Sequence, residues 1–184
     1  ETFPRIEVDA VKKAASDALK NKASRFAIVT SGKTPDESDF NRIIEMIEEI
    51  NKIDGLKSCA SIGILNEEQA KKLAQAGLKR FHHNINTAGS YYPEVCTTHT
   101  FEERVNTCRL VKKYGMELCC GVILGMGETV EQRIEMALAM AEIQPDSIPL
   151  NILMPIANTP TENYLAKIEE ETALRTLAFF TLAI

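Results

Sequence analysis

Phe81-His82-His83-Asn84-Ile85-Asn86-Thr87 reads as a strand that carries polar side chains into the interior at every other position. Side chains two residues apart share a strand face, so His82, Asn84 and Asn86 point one way and Phe81, His83 and Ile85 the other. A strand that only filled a core would not alternate in this way, and its polar face has the character of a binding site. The plainer reading is an edge strand with a solvated face. The segments around it decide. Short apolar, β-branched runs at residues 25–30, 57–62, 80–86, 117–124 and 147–153 predict strands. Between them, residues 8–20, 37–51, 67–76, 101–114 and 130–141 place apolar side chains at helical spacing. Stops and starts agree: Asn66 is an N-cap candidate, Gly77 follows the third helix, Thr100 and Glu103 form a capping-box pattern, and Gly115 ends the fourth helix.

Strict alternation of strand and helix implies parallel strands joined by right-handed crossovers. No Gly-x-Gly-x-x-Gly turn follows the first strand, which removes the best evidence for an open dinucleotide-binding sheet. Polar or cysteine residues sit within or at the ends of several successive strands, as they do where each strand end feeds one shared mouth. The fold class predicted is α/β, a (βα) TIM-type barrel present as a partial barrel of about five βα units.

The chain has 184 residues, 45% of them hydrophobic, and no Pro/Gly/Ser-rich linker, which predicts a single domain over residues 1–184. Twenty-one basic and 26 acidic residues give a net charge of −5 without long blocks of either sign, so nothing favours nucleic acid or a membrane surface as partner. No apolar run reaches membrane-spanning length and no signal peptide is visible; a cytoplasmic location is the expectation. The five cysteines, Cys59, Cys96, Cys108, Cys119 and Cys120, are odd in number and irregularly spaced, which suits reduced thiols or metal ligands better than disulfides. The start at Glu1 and the stop at Leu182-Ala183-Ile184, inside an amphipathic helical pattern, read as cut ends.

Four segments in register carry a resemblance. His82-His83-Asn84-Ile85-Asn86-Thr87, Thr97-Thr98-His99-Thr100-Phe101-Glu102-Glu103-Arg104, Cys119-Cys120-Gly121-Val122-Ile123-Leu124-Gly125-Met126-Gly127-Glu128-Thr129 and Ser147-Ile148-Pro149-Leu150-Asn151-Ile152-Leu153 together resemble the biotin synthase family of radical S-adenosylmethionine (radical SAM) enzymes. Val29-Thr30-Ser31-Gly32, Gly77-Leu78 and Asn158-Thr159-Pro160 extend the match over nearly the whole chain. The resemblance implies a (βα) barrel that cleaves S-adenosyl-L-methionine at a 4Fe-4S cluster to make a 5′-deoxyadenosyl radical. The radical then abstracts hydrogen from dethiobiotin, and an auxiliary iron-sulfur cluster supplies the sulfur of biotin. It also implies an electron donor such as flavodoxin or ferredoxin, and a homodimer.

Two departures stand out. The family's radical cluster sits in a Cys-x-x-x-Cys-x-x-Cys loop, and no cysteine precedes Cys59, so the chain as given is expected to be inactive by itself. The family's auxiliary cluster takes one cysteine from each of three strands and an arginine from a later one. Cys59 and Cys119 match two of those positions, but Ala27 stands at the third. Cys120 and Cys96 are weak substitutes, because Cys120 points away from Cys119 on the opposite strand face.

By the same resemblance, Asn84 and Asn86 meet the ribose or the substrate edge, Arg104 pairs with the carboxylate of S-adenosylmethionine through its planar fork, and Ser31-Gly32 contacts its amino group. The plainer readings are a solvated arginine bridging to Glu102 or Glu103 and a turn glycine at Gly32. Gly121 would let a ligand approach the backbone while a bare strand edge at Val122 and Ile123 flanks the adenine, unless the glycine only permits tight packing. Glu128 falls near a helix start, where a carboxylate is favoured. Asn151 lies in an apolar strand, so its amide needs a partner or a ligand. With Asn84 and His82 it forms the implied dethiobiotin-binding set, while His83 points outward as a structural residue and Cys108 packs in a helix. Three readings follow: biotin synthase; another radical SAM enzyme of the same group, such as a hydrogenase cofactor maturase or a methylornithine synthase-like mutase, which Ala27 favours slightly; or a non-catalytic partial-barrel binding module.

Overall fold

The computed structural model describes residues 6–159, 162 and 168–184; Glu1 and Pro160 lie outside them. Two compact units are formed. The first contains the described residues up to His82 together with Leu110–Glu117, and the second His83–Arg109 together with Leu118–Ile184. Among the described residues no helix is long and apolar enough to cross a membrane.

The first unit runs α1 (Val8–Lys20), β1 (Arg25–Val29), α2 (Glu37–Asn51), β2 (Lys57–Ser61), α3 (Glu67–Gln75) and β3 (Arg80–His82). The strands are parallel: Ala27 lies opposite Cys59, and Cys59 opposite Arg80. The Glu117 amide extends this pattern by donating to the Lys79 carbonyl at 2.9 Å. Helix α2 starts where the Asp36 carboxylate accepts from the Asp39 amide at 2.8 Å. Its Phe40, Ile43, Ile47 and Ile50 recur at helical spacing and are all buried, and α2 packs on β2 and α1. The Asn66 cap is a full capping box with Gln69. In the loop after β1, Gly32 has φ +101° with open space around it, so backbone conformation alone calls for glycine there.

The second unit contains α4 (Tyr92–Val95), most of α5 (Phe101–Lys113), β4 (Glu117–Cys119) from Leu118 on, β5 (Val122–Leu124), α6 (Val130–Ile143), β6 (Leu150–Ile152) and α7 (Glu170–Ala183). Residues 83–86 run beside 119–123, which run beside 147–152, all parallel. The predicted capping box of α5 is present: Thr100 N donates to Glu103 Oε2 at 2.7 Å, and Glu103 N to Thr100 Oγ1 at 3.1 Å. Helix α6 carries a second box, Thr129 with Gln132. The sequence pattern did not reveal α4, a single turn after Tyr91.

Two predicted strands are interrupted. Regular pairing in the 80–86 run ends at His82, and the 117–124 run divides at Cys120-Gly121. Asn86 takes φ +67°, and the amides of Ile85 and Asn86 both donate to the Gly121 carbonyl, at 3.1 and 3.4 Å. Two residues then oppose one, as in a bulge. The Gly121 amide meanwhile donates to Asn84 Oδ1 at 2.9 Å instead of to a strand. Pro149, which has no N–H, delays β6 to Leu150. The alternation itself holds: Phe81, His83 and Ile85 are buried, and His82, Asn84 and Asn86 are half-buried rather than solvated.

A Cβ at Gly121 would lie 2.2 Å from the Pro149 carbonyl oxygen, whereas one at Gly115 (φ +72°) would meet nothing. Gly121→Ala is therefore expected to cost more than about 2 kcal/mol in urea unfolding, and Gly115→Ala about 1 kcal/mol. Equal losses would show that the backbones at Gly121 and Pro149 are not so close.

Candidate functional site

The second unit brings Asn84, Asn86, Gly121, Val122, Ile123 and Asn151 onto adjoining strand segments, and Arg104 of α5 reaches them at the Asn84 carbonyl. Arg104, in the first turn of α5, donates from Nη1 to the Asn84 carbonyl at 2.8 Å, and from Nε to Tyr92 Oη at 2.6 Å and His99 Nε2 at 2.9 Å. All three acceptors are neutral in charge. Arg25, Arg42, Arg80, Arg109, Arg133 and Arg175 each pair with a carboxylate. Among the described residues, Arg104 is the arginine that lacks one. Glu102 is taken by Arg109 and Glu103 by the α5 cap, so the surface-bridge reading of Arg104 falls. The fork expected for a carboxylate is partly engaged, and Nη2 remains for a ligand.

Asn84 Oδ1 is committed to Gly121, so a ligand could use only its NH2 group. The Asn86 carbonyl accepts from Ile123 N at 2.7 Å, and the Val122 amide donates to the Pro149 carbonyl at 3.2 Å. The strand edge expected to be bare at Val122-Ile123 is therefore hydrogen-bonded on both flanks. Val122 is fully buried, which leaves the half-buried Ile123 as the apolar surface a ligand could meet. The glycine at position 121 answers to the Pro149 backbone, the packing alternative. Asn151 lies opposite Ile123 but is exposed, which corrects the premise that burial forces a partner on its amide.

Glu128 does more than favour a helix start. Its carboxylate, with no side-chain exposure, accepts from the Gly125 amide at 2.9 Å, the Met126 amide at 2.8 Å and Arg133 Nε at 3.1 Å. Tyr91 Oη donates to the Met126 carbonyl at 2.9 Å. These bonds tie down the loop after β5. Cys119 is buried, and Cys120, on the opposite face as expected, packs its sulfur 3.8 Å from Cys108 of α5. Both Cys108 and Cys120 are buried core thiols.

In the first unit Cys59 is buried between Ala27 and Arg80. Burial pushes its thiol above the usual range, outweighing the opposing Arg25 and Arg80 guanidiniums. Those two cations share Glu117: Arg25 Nη2 lies 2.9 Å and Arg80 Nη2 2.8 Å from its Oε2. Burial would raise the Glu117 carboxyl, but Arg80 and Arg25 hold it below its ordinary value. Ser31 and Gly32 are exposed, and His82 is half-buried, with burial, Arg80 and Arg25 all lowering its affinity for a proton. Among the described residues no three His, Cys, Asp or Glu side chains gather as a metal-ligating set.

Comparison with known proteins places this geometry. Residues 2–140 match the sequence profile of the Radical SAM superfamily, and the chain belongs to that superfamily. It is 44% identical over 180 residues to the biotin synthase of Acetivibrio thermocellus, covering 98% of this chain and 56% of the relative, and 42% identical to that of Maridesulfovibrio salexigens, covering 98% and 54%. The chain thus spans about half the length of the curated relatives it matches. Among solved structures, methylornithine synthase superposes with a TM-score of 0.85 at 19% identity, covering 100% of this chain and 55% of that one. A maturase of the FeFe-hydrogenase gives 0.84 at 15% identity, covering 100% and 44%. These likenesses establish the fold: α/β, the (βα) barrel type of radical SAM proteins, as a partial barrel. Membership implies S-adenosylmethionine and iron-sulfur chemistry. The cysteine triplet for the radical cluster is absent from this chain.

His83, expected to be structural, is buried, and its ordinary value of 6.5 is pushed down to about 3 by burial, Arg104 and His99. A histidine held neutral in the fold stabilises fully above its unfolded value, and that contribution is lost as pH falls below it. Between pH 7 and pH 5 His83 should remove about 2 kcal/mol of unfolding free energy. In His83→Gln most of that difference should disappear, His82 contributing the remainder with the same sign. An unchanged difference in urea titrations would refute the assignment.

Proposed function

We propose that the protein carrying this chain is a biotin synthase: a radical SAM sulfurtransferase that converts dethiobiotin to biotin, using an electron donor protein such as flavodoxin or ferredoxin, as a cytoplasmic homodimer. The observation that carries the reading is Arg104, an arginine on neutral acceptors with no carboxylate partner among the described residues, in a chain 44% identical to a biotin synthase. A carboxylate ligand would supply the missing charge. Asn86 would meet the ribose of S-adenosylmethionine, Ile123 would flank its adenine, and Ser31 and Gly32 would meet its amino group. The Asn84 NH2, Asn151 and His82 would meet the ureido ring of dethiobiotin.

When bound, the iron-sulfur clusters supply electrons and sulfur. The radical cluster has no ligands in this chain. Cys59 and Cys119 would each offer one thiolate to the auxiliary cluster; Ala27 fills the place of a third, so that cluster would differ in its ligands from the one the resemblance implies. What the described residues contribute is binding and orientation: Arg104 held on three acceptors, Asn84 fixed by Gly121, and the loop after β5 pinned by Glu128. The second reading, another radical SAM enzyme without sulfur transfer, draws on Ala27 and on the likeness to methylornithine synthase.

The test uses the full-length protein, reconstituted anaerobically with iron and sulfide and given S-adenosylmethionine, a reductant and dethiobiotin. Biotin should form alongside 5′-deoxyadenosine. Cys59→Ala should lower biotin by about 100-fold or more while 5′-deoxyadenosine persists. Cleavage of S-adenosylmethionine without biotin, unaffected by dethiobiotin, would favour the second reading.

A further inference from the structure

Around Arg104, in the second unit, the side chains form hydrogen bonds whose direction is set from one end. A guanidinium can only donate. Its Nε–H meets His99 Nε2 at 2.9 Å, so that nitrogen accepts and the neutral imidazole carries its proton on Nδ1. Nδ1 lies 2.9 Å from Thr98 Oγ1 and 3.5 Å from Cys96 Sγ. With Nδ1 donating to Thr98 Oγ1, the Thr98 hydroxyl can donate in turn to Cys96 Sγ at 3.5 Å. Each donor can then point the same way, with the Cys96 sulfur, which lies beside the ring at 3.5 Å from Nδ1 and 3.7 Å from Nε2, as the last acceptor.

Two other observations agree. The His99 ring is held edge-on by Tyr92, at 5.9 Å and 61°, and Tyr92 by Phe101, at 5.9 Å and 64°. Burial works to raise the half-buried Cys96 thiol, yet the Thr98 hydroxyl, the amides of Thr98 and His99 and the Tyr92 hydroxyl together hold it below its usual range. Among the described residues, the titratable groups facing that thiol are Tyr92 of α4 and His99.

We propose that His99 is the positioning residue of Arg104: the relay Arg104, His99, Thr98, Cys96 fixes the plane of the guanidinium, with Nη1 on the Asn84 carbonyl and Nη2 left for a carboxylate ligand. The relay couples the arginine to the Cys96 thiol. This rests on the reading of Arg104 as the carboxylate anchor of S-adenosylmethionine.

Full-length protein, reconstituted anaerobically, is compared with His99→Gln, which keeps an acceptor for Arg104, and His99→Leu, which removes it. Two quantities are measured: the dissociation constants of S-adenosylmethionine and of its decarboxylated analogue, and the pH midpoint of Cys96 alkylation by iodoacetamide, followed by peptide mass spectrometry. His99→Leu should weaken S-adenosylmethionine about 10-fold, leave the analogue within about threefold and raise the alkylation midpoint. His99→Gln should stay within about threefold of the parent for both ligands. Unchanged binding in His99→Leu, or equal weakening of both ligands, overturns the positioning role. If the parent binds the analogue as tightly as S-adenosylmethionine, the carboxylate reading of Arg104 fails. The midpoint then decides the relay: a rise in His99→Leu but not in His99→Gln supports it, and no rise overturns it.

Discussion

The Gly121 amide donates to the Asn84 side chain where a regular sheet would have it donate to a strand, and the second unit is built around that exchange. An amide that leaves the ladder must find another acceptor, because an unpaired buried N–H costs about 1–3 kcal/mol. Asn84 supplies it, and its own backbone carbonyl is thereby held where Arg104 Nη1 can reach it. The Gly121 carbonyl takes two amides, from Ile85 and Asn86, and the chain turns through a left-handed residue at Asn86. On the other flank the Pro149 backbone comes so close that only glycine fits. One irregular peptide thus fixes an asparagine, an arginine and the exit of two strands.

Among the described arginines, the placing of charge separates those paired with a carboxylate from Arg104. Arg25 and Arg80 share Glu117, and Arg133 is spent on the buried Glu128. These pairs stabilise local geometry, and their charge is largely met within the fold. Arg104 spends its hydrogen bonds on an amide carbonyl, a phenol and an imidazole, none of which neutralises it. A half-buried cation without a counter-charge is poorly solvated, so an anion arriving there gains more than it would at an exposed arginine.

Periodicity and capping chemistry were legible because both are local. The helices over 8–20 and 37–51 stand as read, and the Asn66 and Thr100 caps form the bonds their spacing implied. The breaks at His82 and Cys120-Gly121 were not legible, since they depend on Pro149 and Asn84, residues 28 and 37 positions away from Gly121, closing on a single peptide. Asn151 misled for a related reason: an amide among apolar neighbours looks buried in sequence, but exposure is set by what packs over the strand. The polar alternation of His82, Asn84 and Asn86 was readable and holds; the commitment of Asn84 Oδ1 to Gly121 and the charge isolation of Arg104 arise only from tertiary contacts.

Cys59 shows how burial and charge divide the work in the first unit. Two arginines and one glutamate leave that corner with a net positive charge, which by itself would favour a thiolate. Burial outweighs them, so the thiol stays protonated. A metal or cluster that bound there would have to displace a proton the fold retains, and its affinity would rise with pH. The methyl of Ala27, opposite Cys59, provides neither a second thiolate nor a competing charge. Any ligation at Cys59 therefore draws its remaining donors from residues other than Ala27, and the positive corner of Arg25 and Arg80 would help stabilise the thiolate once formed.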